Sequence, residues 1–172
     1  MKEPFIQEEN AGLANWDYGK VYVQHSSTTD AFHISRNLRE ADRNELSALT
    51  RKPYVQLLRD GIKQSDPCYT VFIRKTSKPC AVFGTRDSGY TNSGVVWLLG
   101  TDDLFSIGFT FLRKSNEWVN ELHTHYRLLY NVIDARNKVH IRWLKWLGFD
   151  FIKDIPKYGI ERRKFRLFRR YV

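Results

Sequence analysis

Few side chains in this 172-residue sequence stand where they could do chemistry. His123 and His125 are two apart in a stretch of helical period, so their rings point in different directions, and no acid or cysteine lies at ligand spacing from them. That pattern supports no metal site. His140 could titrate near neutral pH, but it falls within an apolar arc of a predicted helix, which makes it a packed core histidine. Cys68 and Cys80 each lie inside a predicted strand and lack zinc spacing, so they read as small buried thiols rather than a disulfide or a ligand pair. Asp102 and Asp103 open a helical stretch, where carboxylates cap free N–H groups and complement the helix dipole. No residue is assigned a catalytic role.

The elements that must position these groups are clearest near the C-terminus. Leu128 to Ile133 is a short apolar run suited to a buried strand, and Asp134 to Asn137 supplies the polar start of a helix. From Lys138 the spacing is helical: Val139, His140, Ile141, Trp143, Leu144, Trp146 and Leu147 sweep one broad inner arc, and Lys138, Arg142 and Lys145 form a basic stripe on the remainder. Gly148 sits where a helix stops in a left-handed turn, and Phe149 to Ile152 can resume as a strand.

Upstream, residues 1–19 show no period and read as an N-terminal arm; residues 20–172 form a single domain. Lys20 to His25 alternates as a strand, followed by the helix-cap cluster Ser26 to Asp30. Phe32, Ile34, Leu38, Leu46 and Leu49 mark one broken helix or two short ones, with Arg36/Glu40 and Arg39/Arg43 on the outer face. Pro53 opens a helix from Tyr54 to Ile62. Strands over Cys68 to Arg74, Cys80 to Thr85 and Val95 to Leu99 make an antiparallel meander, and Phe111, Leu112, Trp118, Val119, Leu122 and Tyr126 recur at helical spacing before the central strand. A last strand runs through Phe165 to Phe168 with its charges outward. The order β, α, α, β, β, β, α, β, α, β predicts an α+β fold, a mixed and largely antiparallel sheet with helices on both faces.

A chain of this length, 42% hydrophobic, buries about 70% of its unfolded surface, enough for one core. No run of about 18 apolar residues could span a membrane, and Met1 to Asn15 carries three Glu with no apolar signal core, so the protein is expected to be soluble in the cytoplasm where it is made, with no membrane partner.

Asn137, Ile141, Leu147 and Gly148-Phe149 have the spacing of the closing motif of the GNAT N-acetyltransferase superfamily, which this chain resembles. The segments NLREADRNEL, VVWLLGTDD, FLRKSNEWV and RWLKWLGF, in that order, resemble more narrowly a GNAT-like family of short-tailed bacteriophages described as internal virion proteins. The likeness spans Val21 to Phe168 and implies a GNAT-like sheet. For a cofactor, it implies acetyl-coenzyme A held through Leu98, Leu99, Thr101, Gly108 and Asn137. Two departures argue against that chemistry. The loop that should wrap the pyrophosphate, GTDDLFSIGF, has no clustered glycines and places Asp102 and Asp103 where an anion would sit, and the position of the family's acid Tyr, seven residues past the Asn, is Leu144. No cofactor is therefore expected. The resemblance implies a virion-associated internal or assembly protein; an active N-acetyltransferase acting on a host or virion protein is the alternative.

The formal charge of +9 is unevenly placed: residues 136–172 hold 12 Lys and Arg against three acids, while the first 135 residues hold 16 of each sign. The C-terminal cations Arg162, Arg163, Lys164, Arg166, Arg169 and Arg170, with the stripe Lys138, Arg142 and Lys145, are the expected partner surface. Such a basic end suits other virion proteins or non-specific DNA contact.

Overall fold

The computed structural model describes the backbone of residues 16–17 and the whole of residues 19–172. The rest of the N-terminal arm lies outside the described residues. Eight strands form one sheet: β1 (Trp16–Asp17), β2 (Val21–His25), β3 (Cys68–Ile73), β4 (Lys78–Asp87), β5 (Ser93–Gly100), β6 (Leu128–Asp134), β7 (Asp150–Tyr158) and β8 (Arg163–Tyr171), in the order β1-β2-β3-β4-β5-β6-β8-β7. Every neighbouring pair is antiparallel except β5 and β6. The helices are α1 (Asp30–Arg36), α2 (Glu40–Leu49), α3 (Tyr54–Gln64), α4 (Gly108–His125), preceded by a 3-10 turn over Asp102–Ile107, and α5 (Lys138–Trp146). The broken helical stretch is thus two helices, and the two strand segments expected after α5, Phe149 to Ile152 and Phe165 to Phe168, correspond to longer strands of nine residues each.

Alternation along the strands sends successive residues to opposite faces, and the core divides accordingly. Phe83 packs with Phe111, Trp118 and Leu122 of α4 and Ile141 and Leu144 of α5. Its neighbour Val82 joins Ala31, Ile34 and Leu38 with Leu58 and Ile62 of α3 on the other side. Both cysteines are free and buried, and burial pushes their thiols up, Cys68 to about 11 and Cys80 to about 12, so both stay protonated and inert at neutral pH. No helix among the described residues is long and apolar enough to cross a membrane.

Local chemistry differs from expectation at four places. The cap at α1 runs in reverse: the Asp30 carboxylate accepts from Ser27 N–H at 2.9 Å, and Thr29, the residue before the helix, makes no side-chain cap. Before α4 it is Thr101, not Asp102 or Asp103, that caps the 3-10 turn, its hydroxyl accepting from Asp103 N–H, while both acids are exposed. Arg39, expected on an outer face, is drawn inward to a two-pronged pair with Asp42 at 2.9 Å. The inner arc of α5 is narrower than predicted: Ile141, Leu144 and Leu147 are buried and Trp143 half-buried, but Val139 and Trp146 stand 55% and 54% exposed. A nine-residue helix lying against one sheet buries one side only, and the two ends of a wide arc remain in water. Gly148 takes the left-handed turn as expected, with φ +80°.

Candidate functional site: the cleft between β5 and β6

The parallel pairing of β5 with β6 covers Ser93, Gly94 and Val95 opposite Leu128, Leu129 and Tyr130, and then stops. Beyond it the two strands diverge, and each carries an edge of main-chain groups with no strand to pair with. Thr101 N–H donates to Cys80 O at 2.8 Å. The antiparallel alternation then turns the N–H and C=O of Val96, Leu98 and Gly100 away from β4 and toward β6. On β6, Ala135 N–H donates to Lys164 O, so Tyr130, Val132 and Asp134 present theirs toward β5.

Most of these edge groups are taken by the chain itself. Asn131 bridges the gap: its amide donates to Val96 O at 2.8 Å, and its carbonyl oxygen accepts from Val132 N–H at 2.7 Å. Helix α2 closes the far end. Asp42 accepts from Gly100 N–H at 2.9 Å, Glu45 accepts from Asp134 N–H at 3.2 Å, and Arg39 N–H donates to Gly100 O at 2.9 Å. The edge groups of Leu98 face the cavity that remains. This cavity of about 460 Å³ passes through the sheet, with Trp118, Trp143 and His140 on the α4–α5 side and Leu46, Trp97 and Lys52 on the other.

The acids at the closed end set its electrostatics. Burial pushes Asp42 up against the pull of Arg39. Burial also pushes Glu45 up to about 8, with the Asp42 and Asp134 carboxylates adding to it. For Asp134 burial acts the same way, but the hydrogen bonds and charge of Arg136, as close as 2.6 Å, outweigh it and hold the carboxyl below its usual range. His140, its ring 5.0 Å from Trp143, is pushed by burial and by the Arg39 charge down to about 3, far too weak a base for proton transfer at neutral pH.

Glu45 gives a pH prediction with a definite sign. Its folded pKa lies above its unfolded value, so wild-type stability falls as pH rises from about 4.5 to about 8. Glu45→Gln keeps an oxygen for Asp134 N–H and removes the titration. Its stability relative to wild type should therefore rise across that window, by at most about 1.4 kcal/mol per pH unit; the side chain is only half-buried and borders the cavity, and solvent screening lowers the figure. Urea unfolding at pH 5 and pH 8 measures it, and an unchanged difference between the two would show that Glu45 titrates normally.

The residues assigned to a cofactor are spread. Leu98 faces the cleft through its main chain, whereas Leu99 packs toward α3. Thr101 is 1% exposed, with its hydroxyl in the cap and its N–H on Cys80. Gly108 is the first residue of α4, and Asn137 caps α5, its oxygen accepting from His140 N–H at 3.3 Å. Leu144, at the position of the acid, is buried. His123 bonds the Tyr126 carbonyl through Nδ1, and no His, Cys, Asp and Glu among the described residues are grouped to hold a metal. The residues that close the cleft, Asp42, Glu45 and Asn131, were missed. Asp42 falls four residues from both Leu38 and Leu46, on the apolar stripe of its helix, and that position was the available signal.

Nor do the basic residues share one surface. Along β8, Lys164, Arg166 and Arg170 lie on the α5 side with Phe168, while Arg163 and Arg169 lie on the opposite face with Phe165, and Arg162 is in the turn before the strand. Lys164 and Arg166 both pair with Asp154, at 2.6 and 2.9 Å, and Arg163 pairs with Glu161 at 3.3 Å. Arg170 donates to Asn120 at 3.0 Å. On α5, Lys138, Arg142 and Lys145 are exposed.

No protein-family model matches this sequence, and no curated protein does. Solved structures do match. The ribosomal-protein-S5-alanine acetyltransferase of Vibrio fischeri is 14% identical, with 92% of this chain and 96% of that one covered at a TM-score of 0.68. A GNAT-family acetyltransferase of Bacillus anthracis is 7% identical over 92% of this chain and 98% of that one, TM-score 0.67. The yncA structure from Salmonella typhimurium, which contains its cofactor acetyl-CoA, is 10% identical over 89% and 94%, TM-score 0.68. At these identities the likeness establishes the fold, which is the GNAT acetyltransferase fold.

Proposed function

We propose that this chain is a bacteriophage virion-associated protein, internal or acting in assembly, that keeps the GNAT fold and performs no acetyl transfer. The observation that carries the second half is the closure of the cleft edges from within. A ligand lying along β5 as an added strand needs the outward groups of Val96, Leu98 and Gly100; Asn131 already holds Val96 O, and Asp42 and Arg39 hold both groups of Gly100. Nor does the turn after β5 suit a diphosphate. It has no basic side chain, it exposes Asp102 and Asp103, and the flanking Phe105 and Phe109 are 65% and 88% exposed. These residues do not fit acetyl-coenzyme A. The first half rests on the four sequence segments that resemble the phage family, and the exposed cations of α5 are the surface proposed for another virion protein. Particles assembled with Lys138→Gln, Arg142→Gln and Lys145→Gln should carry less of the chain, and wild-type incorporation would remove that surface from consideration.

The competing reading, an acetyl-CoA-dependent N-acetyltransferase, is favoured by the apolar cavity at the splay and by neighbours named as acetyltransferases. A melting experiment separates the two. A ligand at 100 times its Kd adds about 2.7 kcal/mol, which for a chain of this size is a rise of about 5–10 °C. Acetyl-coenzyme A should produce no rise beyond that seen with an adenine nucleotide lacking the pantetheine arm. A clear additional rise would put the acetyltransferase first.

A further inference from the structure

The sheet is covered unevenly. On the side of α1, α2 and α3, the core cluster reaches Trp97 and Leu99 of β5, and Phe165 of β8 is buried beside Tyr158; between them Leu128, Tyr130 and Val132 of β6, Leu167 of β8 and Ile155 of β7 join neither core cluster, and each is half-buried. Cross-strand register assembles them into one open face. Val95, Tyr130, Arg169 and Asp150 stand in a row across four strands, with Leu128 opposite Tyr171 in the next row and Val132, Leu167 and Lys153 on the far side.

We propose that this open face is a platform for single-stranded nucleic acid. Tyr130 and Tyr171 are diagonal neighbours on paired strands, a separation of about 7–8 Å. That is too far for two bases stacked on each other at about 3.4 Å per nucleotide. It suits two splayed bases, one on each ring, as single strands present them. Tyr171 is 64% exposed, and the Arg127 guanidinium lies 5.5 Å from its ring centre. Arg169 and Lys153 are exposed and belong to no ion pair among the described residues, so they are available to phosphates. Of the neighbouring acids, Asp134 is buried under Arg136 and Glu161 pairs with Arg163 and Arg51, while Asp150, exposed and in no ion pair among the described residues, is the carboxylate left open beside Arg169. An exposed ring, Tyr171, and a half-buried one, Tyr130, set beside unpaired cations favour bases and phosphates over an acidic protein, for which the cations alone would serve. The platform lies across the sheet from the α5 cations and does not depend on the fate of acetyl-coenzyme A.

The test is fluorescence anisotropy of the full chain with a labelled oligothymidylate of about 16 nucleotides, the upper end of a single-fold site. Binding should weaken linearly in log–log terms as salt rises. Arg169→Gln with Lys153→Gln should make that slope shallower by about 1.4, from two phosphate contacts at about 0.7 each. Tyr171→Ala should lower affinity about ten-fold with the slope unchanged, and Tyr171→Leu, which keeps the bulk of the side chain, should lower it comparably, since the ring supplies the stacking. The variant Lys138→Gln, Arg142→Gln, Lys145→Gln on the other side of the sheet should stay within two-fold of wild type. The idea is overturned by any of four outcomes. These are no binding at about 50 mM salt, where phosphate contacts are strong; equal loss in the α5 variant; a neutral Tyr171→Ala; or displacement by polyglutamate or an equal-length duplex as readily as by the unlabelled strand.

Discussion

Trp118→Ala should destabilise the chain by about 3–5 kcal/mol, the loss that follows removal of a fully buried large aromatic side chain. Trp118 is 2% exposed, stacked on Phe83 at 5.1 Å and edge-on to Phe111 at 5.5 Å, so one ring joins α4 to β4 across the larger core. The space left behind would be walled by rings held by their own neighbours, and such a site collapses poorly. Trp146→Ala, by contrast, should change stability by no more than about 0.5 kcal/mol, because its ring is 54% exposed. Urea unfolding of both variants with an unchanged m-value makes the comparison. Equal losses would mean that Trp146 is buried in solution, as the helical arc by itself suggested.

Removing one partner of the Arg39–Asp42 pair is the second large effect. Asp42 is 2% exposed, receives both prongs of Arg39 at 2.9 Å and holds Gly100 N–H. Arg39→Ala leaves a buried carboxylate without its charge partner, which costs about 3–5 kcal/mol. Asp42→Asn should be milder, since its amide oxygen can still accept from Gly100. The pH dependence has a definite direction. Without Arg39 the folded pKa of Asp42 rises further above its unfolded value, so the variant loses stability as pH rises above about 3.9 and approaches wild type in acid. A deficit that is the same at pH 4 and pH 7 would show that Asp42 is not the group left exposed to the loss. Because this pair fixes α2 on the end of β5, amide exchange at Gly100 should quicken in the same variant.

Much of the architecture was legible because it follows from local periodicity. Cys68–Ile73, Ser93–Gly100 and Leu128–Asp134 lie within a residue or two of the predicted strands, since apolar runs this short, rich in β-branched and aromatic residues and bounded by turn formers, suit a buried strand better than a helix. Gly148 was placed correctly for a similar reason: a left-handed residue ends a helix at low strain only when it lacks a Cβ. Where the prediction missed, it had extended a local rule past its reach. Helical spacing identifies a face of α5 without saying how much of that face a neighbouring sheet will cover, and Val139 and Trp146 paid for the difference in exposure.

The sequence by itself determined which segments are strands and helices, the position of the excess charge, and the absence of a glycine-rich phosphate turn after β5. Tertiary structure alone decided what happens in the gap between β5 and β6. Asp42 and Glu45 are 92 and 89 residues from Asp134 and only 58 and 55 from Gly100, distances over which no periodicity carries information, yet they hold the two strand ends because unpaired main-chain N–H groups out of reach of water must find an acceptor. The same holds for the basic residues of β8. Close together in sequence, they read as one surface, but the alternation of a strand sends neighbouring side chains to opposite faces, so Arg166 meets Asp154 on one side while Arg169 stands beside Tyr130 on the other.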